Sequence, residues 1–139
     1  MEYSDWLQSQ HSARVWLDNA MTAQCQFATI RPIKKKKTWM GRQYTEYNYG
    51  IYTNDSDKDI RYLPTSEVSH RNLQRKFSDH LKAGKNPTEI LWEVRRSLSN
   101  YGEFLIYTFV PLYLKGWVAE RDRPPLNGVI EIEDIWQEP

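Results

Sequence analysis

The sequence has little of several features that would assign a class of protein. Its 139 residues include one cysteine, Cys25, which excludes an intramolecular disulfide and lacks the further thiols that a zinc site would need. We therefore predict that Cys25 is a small buried hydrophobic residue. No run of about 18 apolar residues occurs, and the sequence MEYSDWLQSQH at the start is acidic and polar, unlike a signal peptide. These absences predict a soluble, cytoplasmic protein without membrane contact.

Catalytic and cofactor motifs are also missing. None of the patterns HExxH, GxSxG, GxGxxG and GxxxxGK[ST] is found, which removes the usual sequence support for zinc hydrolases, nucleophilic hydrolases and nucleotide-binding enzymes. The three histidines are scattered, and His70 and His80, if they share one helix, point about 80° apart. We therefore expect a non-enzymatic protein and predict no catalytic residue, no metal ligand and no cofactor.

What the sequence does contain is typical of a globular domain. A chain of 139 residues is close to the usual size of one domain, so we assign 1–139 to a single domain with one core. Hydrophobic residues make up 40% and charged residues 27%, a balance that disordered chains do not have. Six tryptophans are many for this length, and such rings usually serve cores and interfaces.

Charge is distributed unevenly along the chain. The net charge is only +1, yet residues 19–45 contain six basic side chains and no acidic one. Residues 68–102 carry a net charge of +4, and residues 103–139 carry −4. Blocks of this kind create local potentials that the total charge conceals. A basic surface and an acidic surface are therefore both expected on a nearly neutral protein.

Apolar spacing predicts three helices. Ser4 and Asp5 suit a helix start, and the apolar residues that follow indicate a helix over about 4–23. Leu73, Phe77 and Leu81 recur every four residues, which predicts a helix over about 66–83 that Gly84 closes. The sequence NPTE, with Asn86 as N-cap, Pro87 at the first helical position and Glu89 in a capping box, predicts a third helix that extends to about residue 101.

Strand patterns occupy the rest of the chain. Tyr47, Tyr49 and Ile51 alternate with polar residues, as in a strand with one covered face, and we place the preceding lysines in a loop or a hairpin turn. Further strands are expected at residues 25–30, 60–63, 103–110, 112–120 and 129–136, with a turn at residues 53–59. The expected fold is α+β, a mainly antiparallel sheet of about four to six strands with two or three helices packed on one face.

The sequence RPIKKKKTWMGRQYTEYNYGIY at residues 31–52 is the leading functional candidate. Lysines beside exposed rings suit a nucleic acid, because cations contact phosphates and aromatic rings stack on bases. The same letters also fit a solvated hairpin with a tyrosine-rich strand behind it. Our first hypothesis is an accessory protein that binds RNA or DNA, with these residues in contact: Lys34, Lys35, Lys36, Lys37 and Arg42 at phosphates, and Trp39 and Tyr44 at bases.

A second basic surface is predicted on the helix at 66–83. At 100° per residue, Arg71, Arg75 and Lys82 fall within a stripe about 80° wide that we expect to contain no acid. The stripe would support phosphate contact if it lies beside the lysines. An alternative hypothesis is a protein-interaction module, a small subunit of a larger and possibly ribonucleoprotein assembly, or an inhibitor that docks on another protein.

Overall fold

The computed structural model describes residues 6–8, 13–54, 56–97 and 106–119. Within these ranges the chain forms eight strands and one helix of more than one turn. The strands are β1 (Leu7–Gln8), β2 (Val15–Trp16), β3 (Thr22–Phe27), β4 (Ile33–Trp39), β5 (Arg42–Thr53), β6 (Ser56–Thr65), β7 (Ile90–Arg96) and β8 (Tyr107–Lys115). The helix is α1 (Glu67–Lys82), and a single 3₁₀ turn covers Pro87–Glu89.

The long strand β5 connects two parts of a six-stranded antiparallel sheet. One edge of β5 pairs with β6. Its other edge pairs first with β4, over residues 42–48, and then with β3 at Ile51 and Tyr52. From β3 the sheet continues through β7 to β8, while β1 and β2 form a separate two-stranded sheet. The β4–β5 hairpin therefore extends from one side of a sheet whose other strands surround the core.

The core lies between the sheet and α1. Leu73 and Phe77 of the helix are buried against the sheet, and Phe27 of β3 lies at the centre of an aromatic cluster. The Phe27 ring meets the rings of Phe77 and Trp92 edge to face, with centroid distances of 5.1 and 5.9 Å. Such contacts add about 0.5–1.5 kcal/mol per pair beyond the burial of area.

The helix predicted at 66–83 is confirmed. The Ser66 hydroxyl caps α1 by accepting a hydrogen bond from the Ser69 amide. At the other end Gly84 adopts a φ of 74°, its amide donates to the Leu81 carbonyl and the Lys85 amide donates to the His80 carbonyl. This pair of bonds is a Schellman motif, and it explains why a glycine follows the helix.

The expected α+β fold with two or three helices is wrong, because the protein is mainly β with one long helix. In the described part of residues 4–23 the chain forms β1, β2 and the start of β3. Asn86 does cap a turn as predicted, accepting from the Thr88 amide, but that turn ends at Glu89 and β7 follows. In β7, Trp92 and Val94 are buried beside Cys25 and Ala23 of β3, so tertiary pairing overrides a spacing that also fits a helix.

Several strand boundaries also differ from the predictions. β8 continues through Pro111, where two separate strands were expected, and its register with β7 shifts between Ile90 and Trp92. The turn expected at 53–59 is shorter than predicted, since β5 ends at Thr53 and β6 already begins at Ser56. The strands expected at 103–110 and 112–120 are described only from residue 106 to 119, and the one at 129–136 lies outside the described residues. Cys25 is fully buried, as predicted.

The described residues include no helix that is both long enough and apolar enough to span a membrane.

Candidate nucleic-acid interface

The four lysines lie in a strand and not in the loop or turn that we expected. All four belong to β4, and the turn of the hairpin consists of Met40 and Gly41. Both turn residues have positive φ, 49° and 77°, as in the type I′ turns that suit the twist of a two-residue hairpin. We call residues 33–46 the basic ribbon. Within the described chain, residues 42–46 pair with β4 alone, so the basic ribbon has two free edges.

Alternation along the two strands divides the basic ribbon into two faces. Tyr47, the partner of Lys34 across the strands, stacks on His70 of α1, which identifies the face directed to the helix. This helix-side face carries Lys34, Lys36, Thr38, Gln43 and Thr45. The opposite face carries Lys35, Lys37, Trp39, Arg42 and Tyr44. The predicted site is thus split into two lysine pairs that point in opposite directions.

Aromatic and hydrogen-bonded contacts fix the root of the helix-side face, that is, the end of the basic ribbon that joins the rest of the sheet. The rings of Tyr47 and His70 are parallel, with centroids 3.9 Å apart. Gln74 donates to the Tyr49 hydroxyl, and that hydroxyl shares a hydrogen bond of 2.5 Å with Nδ1 of His70. Burial, and secondly the charge of Lys34, lower the pKa of His70. Both effects favour a neutral His70, whose hydrogen bond with Tyr49 joins α1 to β5.

An ion cluster closes the root of the opposite face. The carboxylate of Glu46 lies 2.8 Å from Nη2 of Arg14 and 3.3 Å from Nζ of Lys37. Only 7% of the Glu46 side chain is exposed, and the two cations compensate its charge. Burial, which outweighs the attraction of Glu46, lowers the pKa of Lys37. Lys37 is therefore held at the ribbon root by this ion pair, whereas Lys34 and Lys36 are exposed on the helix-side face.

The tip of the basic ribbon is aromatic and accessible. The exposed fractions are 45% for Trp39, 80% for Met40 and 38% for Tyr44. Trp39 is paired across the strands with Arg42, and Tyr44 with Lys37. Rings and cations therefore alternate over the outer half of the opposite face.

The basic residues of α1 do not form one surface with the basic ribbon. Arg71 follows His70 and so lies near Lys34, but it forms an exposed ion pair of 2.7 Å with Glu67. The stripe is thus bordered by an acid, and the expectation of an acid-free stripe is wrong. Arg75 is exposed farther along the helix. Lys82 is about 16 Å beyond Arg71 at 1.5 Å per residue, at the helix end whose His80 stacks on Tyr113 of β8.

Three residues of the basic ribbon were not predicted as site residues. Gln43 and Thr45 are neither charged nor aromatic, and Glu46 was predicted only as a polar residue that alternates with tyrosines. A two-residue turn at Met40–Gly41 fixes the register, and from that register the partners of each lysine follow. Met-Gly is a weaker turn signal than Asn-Gly, so the register was not evident in the sequence.

One cleft lies away from the basic ribbon. It has a volume of about 280 Å³ and is lined by residues of α1 and β8, among them Lys76, Asp79, His80 and Tyr113. His80 is buried as a boundary residue; its Nδ1 lies 3.3 Å from the Lys76 carbonyl, and its Nε2 has no hydrogen-bond partner among the described residues. The described residues contain no group of three or more side chains suited to a metal ion. The basic ribbon is therefore the better candidate interface.

Comparisons of the chain with protein families, with curated proteins and with solved structures give no match.

Proposed function

We propose that the protein is a non-enzymatic nucleic-acid-binding protein that contacts a phosphate backbone through the basic ribbon. Five cations, Lys34 to Lys37 and Arg42, occupy a hairpin with two free edges. Residues 33–45 include no acid, and Glu46 at the root pairs with Lys37. This concentration of positive charge on a protruding ribbon is the observation that carries the proposal.

Neighbouring groups support the same function. On the opposite face, Trp39 and Tyr44 present exposed ring surfaces beside Lys35 and Arg42, as stacking on unpaired bases requires. Near the helix-side face, Arg71 supplies a further cation. Because of its distance, Lys82 is assigned no part in this interface.

The test compares two triple variants that remove the same charge. Lys34, Lys35 and Lys36 are changed to Gln in one protein, and Lys82, Lys85 and Lys115, all exposed and distant from the ribbon, in the other. Binding to duplex and single-stranded DNA and RNA is measured as a function of salt. We expect the slope of log K against log salt to fall in magnitude by about 3 in the ribbon variant and by less than about 1 in the control.

Equal slopes in the two variants would contradict the proposal, because binding would then follow total charge. Circular dichroism and thermal unfolding of both variants establish that the sheet is intact. Lys37 is left unchanged, since its removal would leave Glu46 with one partner fewer at the ribbon root.

A protein-interaction module is the second candidate, and β8 offers the observation in its favour. Val110, Tyr113 and Leu114 of this strand are 48%, 65% and 54% exposed, and Leu81 at the end of α1 is 48% exposed. Exposed apolar side chains in one region are typical of protein interfaces. Isolation in constant stoichiometry with another protein, and loss of that complex in Leu114→Asp, would support this function. Isolation of both the wild type and Leu114→Asp as monomers would oppose this function.

A further inference from the structure

We infer that the helix-side face of the basic ribbon reads base edges in the major groove of duplex DNA. The inference rests on the proposed function and names its substrate class. It concerns Lys34, Lys36, Thr38, Gln43 and Thr45, which alternate along β4 and β5 toward one side.

The chemistry of this face suits base edges. Lys donates to the O6 and N7 acceptors of guanine, Gln pairs with the N6 and N7 groups of adenine, and Thr contacts the thymine methyl group or hydrogen-bonds to several bases. Gln43 is exposed and lies across the strands from Thr38, next to Lys36. The face therefore presents uncharged hydrogen-bonding groups beside Lys36 and between it and the turn, whereas a surface that binds only phosphates needs no such groups.

The dimensions of the basic ribbon favour double-stranded DNA as its ligand. The major groove of B-form DNA, about 12 Å wide, admits a two-stranded ribbon, while the major groove of an RNA duplex is too narrow and deep for side chains to read. From Lys34 to Trp39, β4 extends about 17 Å at 3.4 Å per residue. That length corresponds to roughly five base pairs at a phosphate spacing of 3.4 Å along one strand. Among the described residues, no strand pairs with either outer edge of the basic ribbon, so none of them blocks its entry.

The other face is less suited to this contact. Its root is closed by Glu46, which holds the half-buried Lys37 in an ion pair of 3.3 Å. On the helix-side face, Lys34 and Lys36 are both exposed. Their charges are therefore available to the phosphates that border the groove, which favours insertion of the helix-side face.

The experiment begins with selection of bound sequences from a pool of randomised duplex DNA. Affinities of the wild type, Gln43→Ala and Gln24→Ala are then measured for the selected duplex, a shuffled duplex, an RNA duplex of the same sequence and each single strand. We expect the wild type to favour the selected DNA duplex at least tenfold. Gln43→Ala should lose roughly tenfold to a hundredfold of that preference without change in the salt slope, since no charge is removed.

Gln24→Ala is the control at an exposed glutamine of β3, outside the basic ribbon, and its preference among duplexes should equal that of the wild type. Salt-dependent binding without preference for any DNA sequence, or tighter binding to RNA or single strands, would overturn the inference and leave the proposed function intact. Absence of binding to every nucleic acid would overturn both. Retention of the full preference in Gln43→Ala would show that the helix-side face does not read bases.

Discussion

The basic ribbon and the β3–β7–β8 end of the sheet are built from the same antiparallel pairing but stabilised differently. At the β3–β7–β8 end, α1 covers one face of the strands and the rings of Phe27, Trp92 and Phe109 are buried. The basic ribbon has two strands, free edges and mostly exposed side chains. It depends on a tight turn at one end and on the contacts of Glu46 and Tyr47 at the other. Stability and binding are therefore expected to respond to substitutions in different regions.

Buried polar groups show the same difference. At the β3–β7–β8 end, the side chain of Gln26 donates to the carbonyls of Thr88 and Val118 and accepts from the Val118 amide, at 2.8–2.9 Å. Gly116 packs so closely that a Cβ there would lie 2.4 Å from Gln26. In the basic ribbon the corresponding anchor is ionic, Glu46 with Arg14 and Lys37. The Gln26 hydrogen bonds stabilise the fold, and the ion pairs of Glu46 also set the charge of the proposed interface.

The largest effect on stability is expected from Gln26→Leu. The substitution removes three buried hydrogen bonds to the Thr88 and Val118 backbone, so the free energy of unfolding should fall by on the order of 3 kcal/mol. Chemical denaturation measures the change, and Gln24→Leu, at an exposed position of the same strand, is the control. Nucleic-acid affinity of the folded variant should remain that of the wild type. An equal loss of stability in Gln24→Leu would refute the assignment of Gln26.

The substitution Glu46→Gln is expected to change stability and nucleic-acid affinity in opposite directions. Removal of the carboxylate leaves Arg14 and Lys37 without its charge, and since both are partly exposed we expect a loss of about 1–2 kcal/mol in unfolding free energy. Affinity should rise, and the salt slope should steepen by about 1, because a negative charge is lost beside the cations. The exposed pair Glu67–Arg71 provides the control for stability. Glu67→Gln should change stability by less than about 0.5 kcal/mol.

A fall in affinity in Glu46→Gln would contradict the proposed interface. Such a result would mean that the carboxylate serves binding directly and not only the geometry of the ribbon root.

The sequence allowed the helix at 66–83 and the tyrosine-rich strand to be predicted, because each has a single period and a clear boundary. The helix predicted over residues 86–101 is wrong because the sequence there fits two patterns. Ile90, Leu91 and Val94 fit a helical stripe, while Trp92 and Val94 fit strand alternation. Only the pairing of β7 with β3 and β8 decides between the two. For the site, the residue types were evident from the sequence. The direction of each lysine was not, because it depends on a register that the turn at Met40–Gly41 sets.

Two glycines with similar backbones are expected to have different effects when changed to Ala. Gly41 and Gly84 have φ of 77° and 74°, and a Cβ at either would meet no atom within 4 Å, so the cost of Ala is backbone strain of about 1–2 kcal/mol. In Gly84→Ala this strain should lower the midpoint of chemical denaturation. In Gly41→Ala it should disturb the register of the basic ribbon and reduce nucleic-acid affinity more than stability. Equal affinities in the two variants would show that the turn does not control binding.

The smallest expected effect is a pH dependence centred on His70. Burial and Lys34 lower its pKa in the folded protein, so the unfolded chain binds a proton more readily as pH falls through the ordinary histidine pKa of about 6.5. Stability should therefore be constant above that pH and decrease below it, as protonation competes with the hydrogen bond from Tyr49. Denaturation between pH 8 and 5 should show a smaller decrease in His70→Gln than in the wild type. Affinity should rise over the same range, because a charged His70 adds to Lys34 and Arg71; a parallel fall of affinity and stability would place His70 outside the interface.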